Sequence, residues 1–182
     1  MKKWRLVLLG LGLLFLFRGF VFRLLVCYTI AGERENIELI HSRTIQEIDS
    51  LQMDIALDLK GVVGIAGKIT DKRLLFYMEN VSSDPNVVAE KGKANCIGYA
   101  ALFQAAGEYI LKNKNLKSRY EIKHLIGKMQ LLGWDLHAVF SSPFFRDHDF
   151  NVILDKETGE TLYFDPSLHD YLGIDRVRCC SE

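Results

Sequence analysis

The chain has 182 residues, with 23 lysines and arginines against 23 aspartates and glutamates and a formal net charge of zero. That length accommodates one domain plus an appendage, and the charge balance argues against a general nucleic-acid binder. Hydrophobic residues are 49% of the chain, but they crowd toward the N-terminus.

Leu6 to Phe17 is an apolar run, and after Arg18 and Gly19 it resumes through Phe20, Val21 and Phe22 and, past Arg23, to Ile30. A helix from Leu6 to Tyr28 would be roughly 34 Å long at 1.5 Å per residue, enough to cross a bilayer. Arg18 would cost about 2.5–3.5 kcal/mol near the bilayer centre, reduced by snorkelling. Residues 1–31 are therefore expected to form a single transmembrane anchor. Lys2, Lys3 and Arg5 favour a cytoplasmic N-terminus, with the rest of the chain extracytoplasmic (periplasmic); Arg18 and Arg23 weaken that orientation if the span is shorter. A cleaved signal peptide is the alternative, but no small-x-small cleavage site follows. Leu24 to Cys27 resembles a lipoprotein cleavage box, except that Val26 stands where a small residue is wanted.

Residues 32–60 read as a connecting amphipathic helix, with Ile37, Ile40, Ile45, Ile48, Leu51 and Ile55 recurring at helical spacing. Gly61, Gly64 and Gly67 interrupt it, and residues 61–182 form the principal domain. Ile69 to Tyr77 is short, apolar and ambiguous, and Ser82 to Asn86 is a turn. A glycine-bearing loop then leads through Gly92 to Cys96, where an amphipathic helix with Ala100, Gly107 and Leu111 on one face begins. Residues 113–118 are a polar connector. Leu125, Gly127, Met129 and Leu131 alternate with His124, Lys128 and Gln130, which predicts a strand. His137 to Phe140 are compatible with its continuation after Trp134, ended at Pro143. Finally, 147–154 and 161–165 flank the turn cluster 155–160 and predict a β-hairpin. Helices first and an antiparallel sheet after them give an α+β class.

The chemistry centres on Cys96. A helix N-terminus favours the thiolate, and its free N–H groups can hold an oxyanion on a substrate carbonyl. Of the other cysteines, Cys27 lies in the apolar segment, and Cys179 and Cys180 are adjacent. This set resembles neither a disulfide framework nor a zinc site, and no metal or organic cofactor is implied. If Asp155 pairs with Glu160 across the hairpin, Phe150 lies opposite Asp165, and His148 becomes a diagonal neighbour of Asp165 on the same face, about 7–8 Å away at the backbone. A one-residue slip would separate them. The carboxylate would orient one ring nitrogen while the other faces Cys96, the arrangement of nucleophile, base and orienting group in covalent catalysis.

Blander readings compete. Cys96 can be a packed core thiol, His148 a plain strand histidine and Asp165 a turn residue before Pro166. His137 is a rival base, although no carboxylate strand is in register with it. His124 and His169 are expected to be solvated, and Gly98 to permit close packing. The pairs His148–Asp149 and His169–Asp170 invite a metal-dependent phosphohydrolase reading, but that chemistry needs His-Asp on packed helices. A third class is a membrane-tethered binding or scaffold module without catalysis.

The segments Asp84-Pro85, Gly92 to Ala100 around Cys96, His148 to Asn151 and Tyr163 to Ser167 together resemble the core of the transglutaminase-like superfamily. The resemblance covers roughly residues 75–172. It implies a papain-like α+β core with helices packed on an antiparallel sheet, a bacterial membrane-anchored member, and a triad carried by Cys96, His148 and Asp165. Asn151 matches the polar residue often found three positions after the histidine. The implied activity is acyl transfer on peptide or protein substrates, as a peptidase, amidase or transglutaminase; the alternative it leaves is a catalytically silent binding module. Two departures stand out: Phe150 replaces a frequent tryptophan, and no residue matches the one that completes the oxyanion hole, with Asn95 and Lys93 the nearest.

Overall fold

The computed structural model describes residues 2–52, 58–79, 82–140, 147–174 and 176–180. The chain opens with helices α1 (Lys2–Leu16) and α2 (Arg18–Leu25), followed by strand β1 (Val26–Glu33) and helices α3 (Ser42–Gln52) and α4 (Leu59–Arg73). Strand β2 (Leu75–Phe76), helix α5 (Pro85–Lys91) and strand β3 (Lys93–Ala94) lead into the central helix α6 (Cys96–Asn113). Strands β4 (Tyr120–Leu131) and β5 (Trp134–Asp135), helix α7 (Leu136–Val139), strands β6 (His148–Asp155) and β7 (Thr161–Phe164) and helix α8 (Pro166–Leu172) complete it. The α+β class and antiparallel sheet therefore hold: β1, β4, β6 and β7 lie in that order, with β5 folded back on β4.

Helix α6 is buried over most of its length because its faces are filled by Ala, Leu, Phe and Tyr. One face of the sheet receives it, with Tyr120, Ile122, Ile153 and Phe164 among the core residues. Helices α3 and α4 add Ile48, Val62 and Ile69 to the same core. The opposite face has its own cluster of Val26, Tyr28, Leu125, Phe150 and Val177. Burial of these side chains drives the fold, at about 25 cal/mol per Å² of apolar area removed from water.

Several expectations are corrected. The helix expected from Leu6 to Tyr28 is instead two helices bent by 75° between Leu16 and Arg18, and no single helix among the described residues is long and apolar enough to cross a membrane. Arg18 explains the break: its guanidinium donates to the carbonyls of Leu172 and Gly173, the latter at 3.4 Å, closing the C-terminus of α8. Arg23 donates to the carbonyl of Arg176 at 3.4 Å. A side chain holding backbone carbonyls of the folded body fixes α2 there, and Val26 to Glu33 pairs with β4 as an edge strand rather than continuing a helix. The expected boundary at residues 31 and 32 thus falls inside β1.

Of the connecting helix, residues 42–52 are helical, and 53–57, including Ile55, lie outside the described residues. The glycines at 61, 64 and 67 do not break the chain: α4 runs through all three, started by Asp58, whose side chain accepts from the Gly61 amide at 2.8 Å. A glycine costs a helix interior about 1 kcal/mol, and here packing of Val62, Ala66 and Ile69 offsets it. Trp134 and Asp135 fold back onto β4 as β5, and His137 enters a single helical turn capped by Asp135 rather than extending β4. Ser141 to Arg146, including Pro143, lie outside the described residues.

The cysteine reading is corrected too. Cys27 and Cys180 form a disulfide with a Cα separation of 5.4 Å, and neither Cys96 nor Cys179 is in a disulfide. No vicinal bridge forms. Two residues 153 apart in sequence have no local spacing signal, so only the tertiary path of the C-terminal segment beside β1 brings them together.

Candidate active site

Cys96 opens α6. Asn95 is the N-cap: its Oδ1 accepts from the amides of Ile97 at 3.1 Å and Gly98 at 3.4 Å, and its Nδ2 donates to the carbonyl of Glu79 at 3.3 Å. Oδ1 of Asn95 is thus spent on capping and one N–H of its Nδ2 on the Glu79 carbonyl. The helix start is pressed against its own approach, since a Cβ on Gly98 would lie 2.6 Å from the Ala94 methyl and 3.2 Å from Val88. Gly98 serves close packing, as expected from the sequence.

His148 opens β6 opposite Gly127 of β4. A Cβ on Gly127 would meet the Phe150 ring at 2.5 Å and the His148 carbonyl at 3.2 Å. The glycine therefore lets Phe150 lie across β4 beside Tyr28, at 5.0 Å between ring centroids. The hairpin adopts the expected register: Asn151 faces Phe164, Leu154 faces Thr161, and the Asp155 amide donates to the Glu160 carbonyl at 2.9 Å. That parity brings His148 and Asp165 together, with Nε2 of the imidazole 2.5 Å from Oδ2 of Asp165.

Asp165 does two jobs with its two oxygens. Oδ1 caps α8, accepting from the amides of Ser167 at 3.0 Å and Leu168 at 3.1 Å and from the Ser167 hydroxyl at 2.7 Å. Oδ2 accepts from His148 and from the Tyr28 hydroxyl at 2.9 Å. Where the sequence suggested a turn residue before Pro166, Asp165 caps a helix, and that role coexists with its pairing with His148. Burial disfavours its charge, but the charge and hydrogen bond of His148, then Ser167 and the Leu168 amide, hold the carboxyl below its usual range. An ionised carboxylate can only accept, so Nε2 of His148 carries the proton. Nδ1 is buried and has no hydrogen-bond partner among the described residues. Burial alone would push the imidazole down; the Asp165 charge, the neighbouring Cys96 sulfur and the hydrogen bond to Asp165 outweigh it and hold His148 well above its usual value. Cys96 is thus near enough to the imidazole to act on its charge, while Nε2 of the ring is held by Asp165.

The remaining candidates fall elsewhere. Nδ1 of His137 is 3.7 Å from Oδ1 of the exposed Asp147. His169 approaches Asp71 at 3.1 Å and is partly buried rather than solvated. His124 is corrected more strongly: it is fully buried, with Nε2 2.6 Å from Oδ2 of Asp149, because the strand alternation turns both toward α6. Asn151 donates from Nδ2 to the Ala100 carbonyl at 3.0 Å, tying β6 to α6. Among the described residues, no group of three His, Cys, Asp or Glu side chains is arranged to hold a metal ion. A cleft of about 460 Å³ between α4 and β7 contains none of Cys96, His148 and Asp165.

Tyr28 is the site residue that the sequence reading missed, because it sat inside the expected anchor. Its signal was present: once Arg18 and Arg23 are taken as helix ends, Val26 to Ile30 is a short β-branched and aromatic run of strand character. Its hydroxyl is held protonated, burial and then the Asp165 charge pushing its pKa well up. Comparison with protein families, with characterised proteins and with solved structures finds no match to this chain.

Proposed function

We propose that the chain is a thiol-dependent acyl-transfer enzyme of papain-like, transglutaminase-like type, acting on peptide or amide carbonyls and associated with a membrane through its N-terminal segment. One observation carries this reading: a buried imidazole whose Nε2 is committed to a carboxylate, whose Nδ1 has no hydrogen-bond partner among the described residues, and on whose charge the thiol at the start of α6 acts. Burying a ring nitrogen without a partner costs free energy, and proton exchange with a thiol is the chemistry that uses it.

In this mechanism Nδ1 of His148 takes the Cys96 proton, and the thiolate attacks the carbonyl carbon. The electron pair of the C=O bond moves to oxygen, where the free N–H of the first turn of α6 stabilises it. The pair returns, the C–N bond breaks, and the imidazolium gives its proton to the leaving amine, leaving a thioester. Water, deprotonated by Nδ1, then releases the acid and regenerates the thiol. An amine in place of water would complete a transamidation; hydrolysis is the simpler outcome. Asp165 and Tyr28 keep the ring in the tautomer this cycle needs.

Two features support a membrane-associated, extracytoplasmic setting. Helix α1 exposes Leu8, Leu9, Phe15 and Leu16 to solvent, and the Cys27–Cys180 disulfide belongs to an oxidising compartment. At 15 residues the helix is about 22 Å long, so it enters the bilayer while Arg18 and Arg23 stay with the folded body.

The test is acylation of the full chain by p-nitrophenyl acetate, followed by peptide mapping. Cys96 should acylate at least tenfold faster than a simple thiol at pH 7. Cys96→Ala and His148→Ala should abolish this with the fold retained, and His137→Ala should leave it within twofold. A silent Cys96, or loss with His137→Ala and not with His148→Ala, would overturn the assignment.

A further inference from the structure

The face of β6 turned away from Asp165 carries a second, separate charged assembly. Asp149, next in sequence to His148, is fully buried and receives three groups: Nε2 of His124 at 2.6 Å, Nε of Arg34, and Nη2 of Arg34 at 3.3 Å to its other oxygen. Arg34 follows directly on β1, and its amide is anchored to the His124 carbonyl at 2.9 Å. From the interior outward the order is His124, Asp149, Arg34, and only the guanidinium, at 30% side-chain exposure, reaches solvent.

The position of this guanidinium follows from how α6 lies on the sheet. Asn151 bonds the Ala100 carbonyl, and further along Gly107 lies against Ile122, the strand partner of Ile153. Helix and strand therefore run the same way. Cys96, one helical turn before Ala100, comes level with Asp149, two residues before Asn151 on the same face. Arg34 is held charged first by its hydrogen bond to Asp149 and, further down, by the charges of Asp149, Cys96 and Asp147, in keeping with that level placement.

Asp149 grips Arg34 from the side, through Nε and Nη2. The end of the fork, both N–H groups of Nη1 and the second of Nη2, has no partner among the described residues. That fork has the spacing of a carboxylate. We propose that Arg34 is a specificity residue of the acyl site, binding a free carboxylate adjacent to the reacting carbonyl, so that the preferred substrates are peptides or amides with an anionic group beside the bond attacked. His124 and Asp149 are its positioning residues. Asp149 compensates the unit charge, so recognition comes from directed N–H donors more than from a long-range field. The inference rests on Cys96 being the nucleophile.

The test uses two alkylating probes of similar size, neutral iodoacetamide and anionic iodoacetate, on the full chain, with Cys96 modification quantified by peptide mass spectrometry. The ratio of the two rates, divided by that of a free thiol, reads anion recognition at the sulfur independently of how reactive the sulfur is. In the wild type this normalised ratio should favour iodoacetate. Arg34→Gln should slow iodoacetate about tenfold, the size of a short-range charged contact at high effective dielectric, and leave iodoacetamide within twofold. Arg34→Lys, which keeps charge but not the fork, should recover only part of the preference. An unchanged ratio in Arg34→Gln overturns the proposal, as does an equal loss with both probes, which would mean that Arg34 supports only the fold. A Cys96 that reacts no faster than a simple thiol with iodoacetamide would overturn the enzymatic reading instead, while the ratio would still report on Arg34.

Discussion

Replacing Asp165 by Asn tests the site with almost no change in shape. Oδ1 of the amide keeps the three donors that cap α8. The change falls on the other atom: Oδ2, which accepts from both His148 and Tyr28, becomes an NH₂ that can only donate. Two donors then face a donor in a buried space. The least costly relief is for His148 to lose its Nε2 proton and carry it on Nδ1, toward Cys96. In that tautomer the ring cannot take the thiol proton, so iodoacetamide alkylation of Cys96 near pH 7 should fall on the order of 10²–10⁴-fold, as in other triads left with the wrong tautomer. Stability should fall as well, by about 3 kcal/mol, the lower end for breaking a buried ion pair. At about 2–4 °C per kcal/mol for a chain of this size, that is a Tm drop of roughly 6–12 °C. The pH dependence has a definite sign. Asp165 is lowered in the fold, so its contribution is present above the unfolded value of 3.8 and lost as pH falls through the folded one. His148 is raised, so its contribution is complete below 6.5 and lost as pH rises through its folded value. The wild type should thus show a plateau of extra stability between pH 3.8 and 6.5, and Asp165→Asn should flatten it. Alkylation within twofold of wild type together with an unchanged stability profile would refute this account of the pair.

Two further changes probe the support of the site. Tyr28→Phe keeps the ring between His148 and Phe150 but removes the hydroxyl from Asp165; chemical denaturation should show a loss of about 1.5–3 kcal/mol, the worth of a hydrogen bond to a charged group, while Asp165 still holds the imidazole and alkylation stays within about tenfold. Gly127→Ala drives a methyl into the Phe150 ring at 2.5 Å; overpacking of this kind costs about 1–3 kcal/mol, and because Phe150 and His148 share a strand, Cys96 acylation should fall with it, a dissociation of the two effects counting against the packing argument.

The hairpin was legible from the chain alone because strand alternation has period two and a turn cluster fixes register; from that parity the pairing of His148 with Asp165 followed. The helix start at Cys96 was legible from local signals as well, the glycine-bearing loop before it and the apolar periodicity after it; that Asn95 caps the helix was seen only in the structure. These are short-range rules, acting over a few residues, and they place the three proposed catalytic side chains on their elements.

Tertiary structure decided what short-range rules cannot reach. The apolar segment looked like one membrane helix because hydropathy does not report where an arginine finds its acceptors; Arg18 and Arg23 find theirs in carbonyls some 150 positions away, and that ends the helix and frees Val26 to Glu33 for the sheet. Tyr28 then reaches Asp165, and Cys27 reaches Cys180. His124 looked solvated because a polar residue in an alternating strand usually is, yet its alternation faces α6, and Asp149 with Arg34 makes its burial tolerable. The residues proposed as a triad could be named from the sequence; what surrounds them, a tyrosine behind Asp165 and an arginine on Asp149, depended on pairings between distant segments whose free energy is settled only when the whole core closes.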